Sequence, residues 1–105
     1  MNHKEQEQIE EMYCNHGYKC FVTSKPATQR AHIIGNTKAN ILKYGKEIIN
    51  NPLNWLPAHS LKENALIDIG CNSEISDFLA FAIEHNNSYI IEKTVRENIE
   101  RKLRK

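Results

Sequence analysis

The sequence predicts a small α+β domain. Of its 105 residues, 40% are hydrophobic and 26% are charged, which is typical of a folded globular chain. A β-rich stretch at residues 18–34 is followed by segments whose apolar residues recur every three or four positions, the spacing of helices. The length suits one domain. We therefore expect a single domain over residues 1–105 that combines a β-hairpin with several helices.

The first third of the chain is expected to form a helix and then the hairpin. Residues 5–13 carry apolar side chains at helical spacing, which predicts an N-terminal helix. Residues 18–24 are β-rich and alternate in polarity, and residues 29–34 form a second β-rich run. A Pro-containing turn separates the two runs, so we predict that they pair with each other.

The middle of the chain is less regular. Residues 38–44 are predicted to be a helix, since Thr37 is a suitable N-cap and Gly45 a suitable end. Residues 47–50 fit either a short strand or a loop. Residues 54–58 follow an Asn-Pro turn and are expected to be extended.

Three helices are predicted in the C-terminal half. Ser60 and Glu63 have the spacing of a capping box, so a helix should cover residues 61–69. Two more helices are predicted over residues 74–84 and 88–104. The apolar side chains expected to face the core are Leu61, Ala65, Leu66 and Ile69 in the first, Ile75, Phe78, Leu79, Ala82 and Ile83 in the second, and Ile91, Val95, Ile99 and Leu103 in the third.

Charge is unevenly distributed although the formal net charge is only +1. The stretch 14–46 contains no Asp or Glu, whereas the N-terminal helix is acidic. A basic block beside an acidic helix suits a polyanionic partner on one face, although ordinary surface charge remains an alternative. The basic residues of the stretch are Lys19, Lys25, Arg30, Lys38, Lys43 and Lys46.

The chain is expected to be cytoplasmic and not membrane-bound. It has no apolar run long enough for a membrane span, its N-terminus is unlike a signal peptide, and its three cysteines are an odd number. A structural zinc site would need Cys14, Cys20 and Cys71, with His16 or His59, at poor spacing. We expect no structural zinc and predict that the cysteines are core residues.

Three polar residues follow one another in a suggestive order. His32 lies in the second predicted strand, Asn54 follows a turn, and Asn64 is near the start of the helix at 61–69. This order resembles the HNH (ββα-metal) endonucleases, as an H-N-N variant. The resemblance implies a ββα-metal core over about residues 18–70, with the C-terminal helices over about 74–104 as an extension.

The resemblance also implies an activity and a role for each residue. His32 would be the general base that activates water for hydrolysis of a DNA phosphodiester bond. Asn54 would bond backbone groups on both sides of the loop and so hold the helix against the strand. Asn64 would bind a divalent cation, Mg²⁺ or Mn²⁺. Glu63 and Asp68 remain alternative or additional ligands.

One position departs from the family pattern. Many members carry Asp or His directly before the base, where this chain has Ala31. The tripeptide Arg30-Ala31-His32 also resembles the Arg-x-His of nonspecific nucleases with a DRGH motif, although Gln29 and Ala31 replace the Asp and Gly. By this resemblance Arg30 would bind a phosphate as a bidentate donor.

DNA is therefore the expected partner, and Lys38, Lys43 and Lys46 are the expected phosphate contacts. The chain could also form a homodimer that cuts both strands. Two other interpretations stay open. The chain could be a non-catalytic nucleic-acid-binding module that keeps the ββα scaffold, as Ala31 favours, or a small helical interaction protein.

Overall fold

The computed structural model describes residues 3–70 and 72–104. This part of the chain contains six α-helices, one 3-10 turn and a two-stranded antiparallel sheet, so the predicted α+β class is confirmed. The elements are α1 (His3–Asn15), β1 (Gln29–His32), α2 (Lys38–Tyr44), α3 (Lys46–Ile49), the 3-10 turn (Pro52–Asn54), β2 (Trp55–Ala58), α4 (Leu61–Ile67), α5 (Ser73–Glu84) and α6 (Ser88–Leu103).

The predicted pairing of residues 18–24 with residues 29–34 is wrong. The partner of β1 is β2, with Gln29 opposite Ala58 and His32 opposite Trp55. Residues 18–24 instead curl into a loop. The Ser24 N–H bonds the Cys20 carbonyl, the Cys20 N–H bonds the Lys25 carbonyl, and Ser24 has a φ of 64°. A positive φ interrupts extended backbone, so the alternating polarity of this stretch does not correspond to a strand.

Helices pack on both faces of the sheet. Side chains two apart on β1 point to the same face. Arg30 reaches Glu5 of α1, whereas Gln29 bonds Asn64 of α4. The face that carries Arg30 and His32 is therefore turned toward α1, and the opposite face is turned toward α4.

Most of the predicted helices are confirmed. The N-terminal helix and those predicted at 38–44, 74–84 and 88–104 correspond to α1, α2, α5 and α6. Thr37 accepts a hydrogen bond from the N–H of Asn40, and Gly45 ends α2 with a φ of 91°. Residues 47–50 were expected to be a short strand or a loop, and both alternatives are wrong, because Lys46–Ile49 forms the short helix α3.

The inward face predicted for residues 61–69 is partly wrong. Ile69 is buried and Leu66 packs against the core as predicted, whereas Ala65 is exposed. Leu61 is 78% exposed, and the buried residues of the helix are Glu63 and Ile67. Ser60 makes no cap bond to the backbone and instead donates from Oγ to the Glu63 carboxylate at 2.7 Å. The bond from Ser60 satisfies the Glu63 carboxylate inside the fold, so Glu63 can be buried while Leu61 is exposed.

The core lies between the sheet and the C-terminal helices. Leu79 and Ile83 of α5 and Ile91, Val95 and Ile99 of α6 are buried as predicted. Phe78 and Leu103 are exceptions, at 50% and 60% exposed, because they lie on the outward sides of their helices.

Two further findings concern the cysteines and membrane spans. Cys20 is buried as predicted, but Cys14 lies exposed on α1, and Cys71 falls outside the described residues. Among the described helices, none has both the length and the apolar character needed to cross a membrane.

Candidate functional site

Asn54 is the polar centre of the region between β1 and β2. Its side chain has no solvent exposure. Oδ1 accepts the N–H of Ile34 at 2.8 Å, and Nδ2 donates to the carbonyl oxygens of Ile34 and Ile49, both at 3.0 Å. The backbone adds a bond from the Ile33 N–H to the Asn54 carbonyl at 2.8 Å. These bonds join the end of β1 to the end of α3 and the start of β2.

His32 ends β1 directly opposite Trp55. The two rings meet edge to face, with centroids 6.4 Å apart. The imidazole is half-buried, and its Nε2 is buried with no hydrogen-bond partner in the described part of the chain. Burial lowers the pKa of His32 and the Arg30 charge lowers it further, whereas the charges of Asp68 and Glu5 act in the opposite direction. The ring is thus neutral near pH 7, the form that accepts a proton.

Arg30 shares the sheet face of His32 but is already engaged. Its guanidinium carbon lies 4.5 Å from the centroid of the Trp55 ring. Its Nη1 lies 3.3 Å from Oε1 of Glu5, and the two side chains are only 21% and 33% exposed. A phosphate that binds this guanidinium would compete with the Glu5 carboxylate at Nη1.

The two oxygen ligands predicted on one helix face are separated by the end of α4. The helix was predicted to reach residue 69 but ends at Ile67, so Asn64 is helical whereas Asp68 has extended backbone. Asn64 donates from Nδ2 to Oε1 of Gln29 at 2.7 Å, and its amide oxygen has no donor among the residues described. Asp68 directly follows the helix and accepts the N–H of Gly70 at 2.7 Å through Oδ1. Glu63 is only 7% exposed and is bound by Ser60, which disfavours it as a ligand.

These residues come together only in part. The contacts place Arg30 and His32 on the α1 side of the sheet, while Asn64 reaches Gln29 on the opposite side. Asp68 carries a charge that acts on His32, and its Oδ2 would lie 3.5 Å from a Cβ added to Gly35.

The resemblance implies a divalent cation, for which the described residues offer few ligands. In residues 3–70 and 72–104 there is no group of three or more His, Cys, Asp or Glu side chains that could hold a metal. Ala31 offers no ligand and is fully buried. The amide oxygen of Asn64 and the carboxylate of Asp68 remain, and two such oxygens suit a hard cation that keeps most of its waters. Asn64 and Asp68 are therefore the described residues that would hold such a cation.

The predicted phosphate-binding lysines lie on the other side of Asn54, on α2 and α3. Lys38 and Lys46 are exposed. Lys43 differs, because its Nζ lies 3.1 Å from Oδ1 of Asp77 on α5. The three lysines are thus not equivalent.

Four residues of this region were not predicted from the sequence. Glu5, Gln29 and Trp55 contact the predicted site residues, and Lys102 donates from Nζ to the carbonyls of Ala65 at 2.9 Å and of Asp68, which caps α4. Trp55 could have been found as the cross-strand neighbour of His32, but only with the correct pairing of β1. The others depend on contacts between elements far apart in sequence.

Comparison with known proteins assigns no family to this arrangement. No family model, curated protein or solved structure matches the chain. The interpretation of the site therefore depends on its own residues and geometry.

Proposed function

We propose that this protein is a metal-dependent DNA endonuclease whose ββα-metal core consists of β1, β2 and α4. The observation that carries the proposal is the Asn54 brace. Its three side-chain bonds hold the segments after β1 and before β2 together, so that His32 stands beside Trp55 and α4 follows β2 after two residues. A strand histidine, a bracing amide and helix oxygens are the parts that an HNH nuclease needs.

In the proposed reaction His32 acts as the general base. Its neutral imidazole takes a proton from a water molecule, and the resulting hydroxide attacks the phosphorus of a DNA phosphodiester. One P–O bond forms and one P–O ester bond breaks, and the leaving oxygen takes up a proton from solvent. Nε2 has no competing bond to the described residues, but it is buried, so the reacting water must gain access to it.

Asn64 and Asp68 are the residues that would hold the cation, Mg²⁺ or Mn²⁺. A bound divalent ion supplies positive charge that stabilises the charge developing on the phosphate. Arg30 would donate to a phosphate oxygen once Glu5 is displaced. The exposed Lys38 and Lys46 would bind the DNA backbone without reading its sequence.

Two specific observations favour the alternative function, a nucleic-acid-binding module without catalysis. Ala31 is buried and cannot supply the ligand that many HNH nucleases have there. Arg30 is paired with Glu5, which competes with a phosphate for the guanidinium.

A plasmid-nicking assay distinguishes the two functions. Supercoiled DNA is incubated with the purified protein in Mg²⁺ or Mn²⁺, and in EDTA, while a gel-shift assay measures binding. Nicking that requires the metal supports the endonuclease. Binding without nicking in either metal would contradict it and indicate the binding module.

A further inference from the structure

Trp55 is placed where it contacts both polar residues on the α1 side of β1. It begins β2, it is only 2% exposed, and it is the one tryptophan of the chain. Its indole Nε1 is buried without a hydrogen-bond partner in the described ranges. A buried indole N–H normally finds a partner, so an unpaired one requires an explanation. The contacts that Trp55 makes with Arg30 and His32 involve the ring itself and not the indole N–H.

Two side chains of β1 contact the Trp55 ring. Arg30 stacks on it at 4.5 Å, and His32 meets it edge to face at 6.4 Å. Arg30 and His32 are two residues apart on one strand and project to the same face, so a single rigid ring restrains both. Because the ring is held by the core, the restraint persists even when Glu5 leaves Arg30.

We infer that Trp55 is a positioning residue that fixes the imidazole of His32 and the guanidinium of Arg30 in one arrangement. The inference rests on the proposed function, in which these groups act as base and phosphate donor. Trp55 itself would not touch the reacting atoms. Holding both side chains would remove freedom that each would otherwise lose on binding substrate.

A purely structural role for Trp55 is the alternative, and a matched variant separates the two. Leu56 is the next residue of β2, is 3% exposed and projects to the opposite face. Leu56→Ala should therefore weaken the core without disturbing Arg30 or His32. Trp55→Leu should weaken the core and release both, whereas Trp55→Phe keeps an aromatic face for them.

The first measurement compares these variants by NMR titration of the His32 ring and by nicking rate. The charged groups near this ring are Glu5 of α1, Arg30 of β1 and Asp68 after α4, and none of them is altered. We expect Trp55→Leu to raise the pH midpoint of the His32 titration toward the ordinary pKa of a histidine. We also expect it to slow nicking on the order of 10²-fold. Trp55→Phe and Leu56→Ala should do neither. Equal midpoints and equal rates in Trp55→Leu and Leu56→Ala would overturn the inference.

The NMR result is independent of cleavage. If the wild-type protein does not nick DNA, the proposed function fails, yet a midpoint shift in Trp55→Leu alone would still establish that Trp55 positions His32. Unchanged midpoints in that case would overturn the positioning role as well.

A second measurement needs no change in the core. Emission from the one tryptophan should fall as His32 becomes protonated, and this pH dependence should disappear in His32→Gln. Arg30→Met should also change the emission of Trp55, which is unaltered in this variant. Emission that is unaffected by either substitution would overturn the inference even if the Trp55 variants fail to fold.

Discussion

Asn54 and Ile34, twenty residues apart, are joined by two side-chain-to-backbone hydrogen bonds. Oδ1 of Asn54 accepts the Ile34 N–H at 2.8 Å, and Nδ2 donates to the Ile34 carbonyl at 3.0 Å. Both residues are fully buried. The Asn54 amide thus replaces the strand partner that Ile34 loses where β1 ends, and it satisfies groups that would otherwise be buried unpaired.

Asn54→Ala should lower the free energy of unfolding. The substitution leaves the Ile34 N–H and the Ile34 and Ile49 carbonyls without these bonds, and an unsatisfied buried group costs about 1–3 kcal/mol. Urea unfolding followed by circular dichroism measures the change. Asn36→Ala, at an exposed asparagine, is the control and should have little effect. A variant as stable as the wild type would show that Asn54 does not brace the loop.

The helices were predictable because their signals are local. Thr37 bonds a backbone group three residues away, and Gly45 adopts its positive φ within the turn that ends α2. The partner of β1 was not predictable in this way. Residues 18–24 and β2 are both β-rich, and only the full tertiary structure selects β2.

Glu5→Gln should strengthen DNA binding. The Glu5 carboxylate occupies a position beside Arg30 that a phosphate would need, and the amide removes the competing negative charge. Because the pair is partly buried, screening by solvent does not fully remove their attraction. Fluorescence anisotropy at low salt measures the affinity. The matched control is Glu7→Gln on the same helix, where the side chain is 66% exposed and pairs with His3. Equal affinities for the two variants would exclude Arg30 as a phosphate donor.

The two candidate metal ligands should differ in importance. Asp68 carries a charge and influences His32, whereas Asn64 is neutral and bonded to Gln29. We therefore expect Asp68→Asn to raise the Mg²⁺ concentration for half-maximal nicking more than Asn64→Ala does. Mn²⁺ should partly restore the activity of both, since it binds such sites more tightly.

Glu47→Gln, at an exposed acidic residue on α3, serves as the control for this titration. Wild-type metal dependence in both Asn64→Ala and Asp68→Asn would exclude α4 as the source of ligands.

Lys38 and Lys46 should contribute to DNA affinity through charge alone. Replacing each with Gln should reduce the salt slope of binding by about one unit per lost phosphate contact. Lys43→Gln should have a smaller effect, because Lys43 already pairs with Asp77. Binding measured over a series of salt concentrations tests this order, with the exposed Lys62→Gln as the control. If the salt slope of binding is the same in the Lys38, Lys43, Lys46 and Lys62 variants, the DNA binds another surface.

The candidate site was predictable only as far as single residues carry chemistry. His32 and Asn54 were predicted from the order His, Asn, Asn, which resembles the HNH nucleases, and the bracing bonds predicted for Asn54 are present. The engagement of Arg30 by Glu5 and Trp55 joins elements far apart in sequence, so no local pattern indicates it. The burial of Ala31 likewise depends on which face of β1 meets α4.

The nicking rate of His32→Ala in Mg²⁺ tests the proposed chemistry most directly. The substitution removes the base, and loss of a general base typically slows a reaction on the order of 10²–10⁴-fold. His85→Ala, at an exposed histidine after α5, is the matched control and should cut like the wild type. Because the pKa of His32 is lowered from 6.5, wild-type nicking should be level above that pH and fall only below it. A His32→Ala variant that nicks DNA at the wild-type rate would contradict the account.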